Sequence, residues 1–178
     1  MRKPKTKSNK IIHQNPYGRV SRVTMDFGKR QKDFYVAEFD ERVGIVVIRN
    51  NMVLLVRQYR VLINRDSWEI PGGGVKPGET PAKAIVRECY EETGVRCKNI
   101  KPLLFYQETL ESVHTPTHLF HATDFTEDKD FSPDPEEIFE KRWFSFRQCL
   151  SMIKKGEMLD SFTILALLAY QALISKKS

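Results

Sequence analysis

Two β-branched, aliphatic runs, residues 43–48 and 52–59, meet at Asn50-Asn51, and this pairing constrains the fold more than any other segment of the 178-residue chain. Asparagine tolerates positive φ, so the dipeptide suits a tight turn between two buried strands. Upstream, residues 18–39 alternate apolar and polar (Val20, Val23, Met25, Phe27, then Phe34, Val36, Phe39), broken by Gly28-Lys29-Arg30. That period of two reads as a hairpin or a pair of strands. Downstream, Trp68-Glu69-Ile70-Pro71-Gly72-Gly73-Gly74 reads as a short strand entering a glycine loop.

A helix follows from about Thr80 or Pro81. Thr80 is a suitable cap, proline is favoured in a first helical turn, and Gly94 supplies the stop. Its apolar positions, Ala82, Ile85, Val86 and Cys89, recur at helical spacing. Further strands are expected near residues 103–107, 117–123 and 140–146, and helices near 146–155 and 161–174, separated by Gly156. Strands, one central helix, strands and terminal helices make an α+β chain with a sheet between helices. The alternation is too poor for a doubly wound parallel sheet.

Composition narrows the class. With 40% hydrophobic and 29% charged residues the chain is globular, neither disordered nor membrane-like. The apolar stretch 162–174 is too short to span a bilayer, and no apolar segment of signal-peptide type follows the basic start. Cys89, Cys97 and Cys149 are odd in number and lack a CxxC pair, which points to a reducing cytosol and a cytoplasmic location. The net charge of +6 is concentrated at Arg2, Lys3, Lys5, Lys7 and Lys10. Residues 1–10 therefore read as a solvated, flexible basic tail, not a nucleic-acid contact, before a single domain over residues 11–178.

The chemistry lies in residues 73–95. Glu88, Glu91 and Glu92 are related by i+3 and i+4, which sets their carboxylates on one helix face. Like charges at that spacing destabilise a helix by roughly 0.2–0.5 kcal/mol per pair. In isolation the pattern reads as a solvated acidic face partly neutralised by Arg87. The glycine run at a fixed distance changes this, because backbone without Cβ can approach the helix and offer a carbonyl. Oxygen-only ligands with room for water and phosphates suit Mg²⁺, and Glu79 could add to that shell.

The stretch resembles the Nudix box, GX5EX7REUXEEXGU with U a bulky apolar residue. Gly73, Glu79, Arg87, Glu88, Glu91, Glu92 and Gly94 stand at its fixed positions and Val95 at the last U. Cys89 takes the first U, where a small buried hydrophobe serves. VRQYR (residues 56–60), WEIPGG (68–73), the acidic loop 133–140 and GEMLDSFTILALL (156–168) resemble the branch that hydrolyses ADP-ribose and nucleotide sugars. The resemblance implies a Nudix α/β/α sandwich with a mixed sheet, its box forming loop-helix-loop. It implies Mg²⁺, with Mn²⁺ as a substitute, held by Glu88 and Glu92 with Glu91 aiding and the Gly72 carbonyl joining the shell. Arg87 would orient the glutamates. Arg60 would lie against the substrate, where its fork can pair with a diphosphate, and Arg57, Trp68 and Glu69 are further substrate-side candidates; Trp68 reads equally as a core residue. The general base would be Glu136 or Glu137, although acids in such a proline-rich loop also occur merely solvated. Homodimers exchanging N-terminal strands are implied as well.

The expected reaction is Mg²⁺-dependent cleavage of ADP-ribose or a related nucleoside diphosphate sugar to a nucleoside monophosphate and a sugar phosphate. Residues 106–116 lack the branch's Ser-Pro-Gly element, and Leu110 replaces a proline that often marks ADP-ribose enzymes. Other nucleoside diphosphate sugars therefore stay open. Alternatives are a hydrolase of dinucleoside polyphosphates or capped RNA ends, or a nucleotide-binding domain without turnover. His114, His118 and His121 fit no zinc spacing and read as surface or strand histidines.

Overall fold

In the computed structural model, which describes residues 3–132, Asp134 and residues 138–174, the Asn50-Asn51 turn forms with both residues at positive φ, 50° and 60°. It joins the central hairpin of a chain that begins with β1 (Lys5–Asn15), β2 (Gly18–Asp26), β3 (Gln31–Phe39), β4 (Arg42–Arg49) and β5 (Met52–Arg60). A 3-10 turn (Val61–Ile63), β6 (Arg65–Glu69) and β7 (Gly72–Gly74) lead into helix α1 (Pro81–Thr93). Then come β8 (Val95–Lys98), β9 (Lys101–Gln107), β10 (Val113–His114), β11 (Pro116–Ala122), β12 (Asp124–Glu127) and β13 (Glu140–Ser145), and finally α2 (Phe146–Lys154) and α3 (Ser161–Leu173).

The chain divides into two compact units, a smaller one running up to residue 41 and including residues 106–117, and a larger one of residues 42–105 and from 118 onward. This differs from the expected tail over residues 1–10 before one domain over 11–178. Lys5 to Lys10 belong to β1, which pairs antiparallel with β2 from Lys5↔Asp26 to Asn15↔Gly18. Asn15 closes the connecting turn by accepting from the amides of Tyr17 and Gly18 at 2.9 and 3.1 Å. All of β1 is exposed, so its lysines stay solvated while the backbone is paired, and their charge does not oppose the strand. In the smaller unit the sheet order is β1-β2-β3-β10.

In the larger unit β4 explains the layering. Every internal position of β4 is buried, and its side chains alternate between two faces. Val43, Ile45 and Val47 pack with Ala84, Ile85 and Cys89 of α1. On the other face the Arg42 guanidinium lies over the Phe162 ring of α3, and a side chain at Gly44 would run into that ring. Helices therefore cover both faces of the sheet, the expected α/β/α sandwich. Each buried Val or Ile contributes roughly 1.5–3 kcal/mol, which makes the two-sided strand the centre of the core. The sheet order is β13-β5-β4-β11-β9, with β6 added on β5 and β7 on β4.

The helix signals act as expected. Thr80 caps α1 by accepting from the Lys83 amide, Pro81 opens it, and Gly94 ends it at φ 69°. Ser145 and Gln148 form a capping box on α2, and Asp160 caps α3. Cys89, Cys97 and Cys149 are free and buried. Among the described residues no helix is long and apolar enough to cross a membrane.

Candidate active site

The glycine run expected as a loop is a short strand. β7 pairs antiparallel with β4, setting Gly72 opposite Gly44 and Gly73 opposite Val43. This places the backbone of β7 directly beside α1. A Cβ on Gly73 would stand 2.4 Å from the carboxyl carbon of Glu88, so the glutamate occupies the space that only glycine leaves.

Glu92, one turn later, is buried. One carboxylate oxygen accepts from the Gly72 amide at 2.9 Å and the other from Nε2 of Gln58 on β5 at 2.8 Å. Burial pushes its carboxyl up to about 8, the Gly72 and Gln58 bonds oppose that rise, and the nearby Glu88 charge adds to it.

Arg87 organises the other acids. Its Nε and Nη2 grip Glu79 at 3.1 and 2.8 Å, Nη1 donates to Glu88 at 2.7 Å and to Glu91 at 3.0 Å, and Nη2 also reaches the Gly74 carbonyl at 3.1 Å. The fixed fork of an arginine satisfies this set, which a lysine could not. The guanidinium holds the Glu79 carboxyl below the usual carboxylate range. Glu91 is half exposed, unlike Glu88 and Glu92, so the three acids predicted to share one face span a gradient from core to solvent.

Strand alternation sorts the substrate-side candidates. Gln58 and Arg60 project from one face of β5, alongside Ser67 and Glu69 of the adjoining β6. The Arg60 fork, expected to pair with a diphosphate, is bidentate on the buried Glu69. Arg57 and Trp68 belong to the opposite face. Arg57 pairs with Asp66 at 3.7 Å and Glu140 at 3.5 Å, and Trp68 packs edge-on against Phe144 at 4.8 Å. Those two thus lie on the strand face away from Gln58 and Glu92. Glu136 and Glu137, the candidate bases, lie outside the described residues. Gln58 was not among the candidates, although its place two residues before Arg60 in VRQYR was the signal that could have found it.

A comparison with family models matches residues 38–162 to the NUDIX domain. This chain belongs to the Nudix family. Among its relatives, the Nudix chain is 27% identical over 168 residues to the CMP-5'-(N-acetyl-N-hydroxy-3-aminopropyl)phosphonate hydrolase of Streptomyces rubellomurinus, covering 92% of this chain and 80% of that one. It is 32% identical over 135 residues to diphosphoinositol polyphosphate phosphohydrolase 2 of Homo sapiens, covering 73% and 72%. An RNA pyrophosphohydrolase of Psychromonas ingrahamii is 36% identical over 104 residues, covering 57% and 50%. The crystal structure of an ADP compounds hydrolase superposes with a TM-score of 0.85 at 17% identity, covering 100% and 97% of the two chains, and shares the fold. The protein is accordingly a hydrolase, a Nudix pyrophosphohydrolase.

Nudix hydrolases generally use a divalent metal, and the donor set fits one chemically. Glu88, Glu91 and Glu92 would offer hard oxygen ligands, and a cation would offset the burial that disfavours the Glu92 charge. In the arrangement described these acids are held by Arg87, Gly72 and Gln58. Among the described residues no three His, Cys, Asp or Glu side chains gather as a metal-holding group. The three histidines do not converge on one either: His118 tilts against Phe105, and His121 is buried edge-on to Tyr170.

Proposed function

We propose that this Nudix hydrolase cleaves the diphosphate of ADP-ribose or a related nucleoside diphosphate sugar, with Mg²⁺ as its cofactor and Mn²⁺ as a substitute. The observation that carries this reading is the continuity of one strand face. Gln58 of β5 holds the box residue Glu92, and two residues later on the same strand face Arg60 lines a cavity of about 350 Å³. A relative named for a CMP-linked phosphonate, similar over nearly the whole chain, supports a substrate in which a nucleoside monophosphate is joined to a second group.

Glu88 and Glu92, with Glu91 and the Gly72 carbonyl, would hold the cation. When bound it neutralises the diphosphate and lowers the pKa of a water. Arg87 keeps the acids oriented through its bonds to Glu79, Glu88 and Glu91. Gln58 and the Gly72 amide fix the rotamer of Glu92. Glu136 or Glu137 remains the candidate for taking the water's proton. A homodimer exchanging N-terminal strands is supported by the exposed β1 with its apolar Ile11 and Ile12, and a cytosolic location by the three free cysteines.

The test is a substrate panel with Mg²⁺ and product identification. ADP-ribose or another nucleoside diphosphate sugar should yield a nucleoside monophosphate and a sugar phosphate, and chelation by EDTA should abolish turnover. The relative named RNA pyrophosphohydrolase favours a second reading, so capped RNA and ATP belong in the panel. Either one outperforming every diphosphate sugar rejects the proposal.

A further inference from the structure

The cavity lined by Arg60 has a charge pattern of its own. Its walls include Arg60, Leu62, Ser67, Glu69, Asp160 and Ser161, all within the larger unit. Ser67 of its wall stands opposite Gln58 in the β5–β6 pair, and Gln58 donates to Glu92 at 2.8 Å, so one residue, Gln58, separates the cavity wall from the box acids. A phosphate-binding pocket would present unengaged cations. Here Arg60 turns Nε and Nη2 onto the two oxygens of Glu69, so its charge is already paired. Counting Arg60 as +1 and Glu69 and Asp160 as −1 each leaves −1 for these walls.

The start of α3 offers no compensation. A helix N-terminus attracts anions through its free amides, but Asp160 already accepts from the Thr163 amide at 2.8 Å and from the Thr163 hydroxyl at 2.6 Å. Thr163 in turn accepts from the Ile70 amide at 3.1 Å, which ties the Asp160 wall to the segment entering the glycine strand. What the cavity does present are carboxylates that accept hydroxyl hydrogens, the hydroxyls of Ser67 and Ser161, and an apolar lip of Val61 and Leu62. Both lip residues are exposed, Leu62 fully.

We infer that this cavity receives the moiety beyond the β-phosphate as an uncharged, hydroxyl-bearing group such as a sugar, and that Asp160 is a specificity residue that excludes a further phosphate. The inference rests on the diphosphate-sugar reading above and deepens it. Hydroxyls of the sugar meet Glu69, Asp160 and the serines, and its carbon face meets Val61 and Leu62. A third phosphate placed there faces the Asp160 charge.

Two variants test it by gain of an activity, which a folding defect cannot imitate. Asp160→Asn retains an oxygen to accept from Thr163 and so preserves the cap, while removing the charge. Ser161→Lys adds a cation at the same wall. kcat/KM for ADP-ribose, ADP-glucose and ATP is measured with Mg²⁺ in the wild type and both variants. The preference for the better diphosphate sugar over ATP should fall about tenfold or more in each variant, the scale of one like-charge contact removed, with ATP turnover rising in absolute terms. An unchanged preference in both variants overturns the inference and leaves the substrate reading intact. A wild type that favours ATP rejects the substrate reading and, with it, the exclusion of a further phosphate by Asp160. If the wild type turns over none of the three, both fall.

Discussion

Glu92 is subject to two opposing demands. Burial raises its carboxyl to about 8, while its oxygens are positioned by Gly72 and Gln58 as a charged ligand would be. Replacing it with Gln keeps the position neutral at every pH, so burial beside Glu88 carries no cost of charging. Glu92→Gln should therefore leave the melting temperature unchanged or raise it, while turnover at saturating Mg²⁺ falls by more than the roughly 10–100-fold of an outer-shell loss. Near-wild-type turnover removes Glu92 from the ligand set. Gly73 is the complementary case, since its importance is spatial. Gly73→Ala must displace the Glu88 carboxylate from its place beside β7, and it should lower kcat at least tenfold, the effect expected of about 1.4 kcal/mol on the barrier. Wild-type kinetics in that variant would show that Glu88 does not work from this position.

At the scale of elements, α1 carries the acids and depends on its ends. Thr80 holds the first turn through the Lys83 amide, next to Glu79, the main partner of Arg87. Thr80→Ala should cost about 1 kcal/mol of stability, read as a lowered denaturant midpoint, and should weaken the Glu79 to Arg87 link without touching the carboxylates. The β4–β5 turn behaves oppositely. Asn50 and Asn51 both hold positive φ, a conformation glycine adopts without steric cost, so Asn51→Gly should leave stability unchanged or raise it by some tenths of a kcal/mol. A loss above about 1 kcal/mol would mean that the Asn51 side chain makes a contact the turn geometry does not require.

At the scale of the whole molecule, β1 is an edge strand, paired with β2 on one side and exposed along its entire length. An edge strand of this kind presents unpaired backbone groups, and the proposed strand exchange would cover it. Light scattering should give a mass near twice the 20.8 kDa of one chain. Deleting residues 1–15 should convert the protein to a monomer. A monomeric full-length protein removes the exchange proposal, and a deletion that stays dimeric moves the interface elsewhere.

Local chemistry was legible because it acts over a few residues: the Asn50-Asn51 turn, the Thr80 cap, the Gly94 stop and the spacing of the box all act within one or two turns of chain. The fold was legible through the resemblance that the box carries, whereas the glycine run, read as a loop, became a strand because β4 supplied its partner. Only tertiary structure could decide which residues meet across the sheet. Arg57 and Arg60 are alike in the sequence, but strand alternation sends one toward Asp66 and Glu140 and the other toward Glu69. Gln58 gains its role from Glu92, 34 positions away. The lysines of residues 5–10 became a strand because β2 supplied a partner that composition does not reveal. Pairings of this kind depend on the register of distant strands, where a shift of one residue exchanges the faces of every side chain.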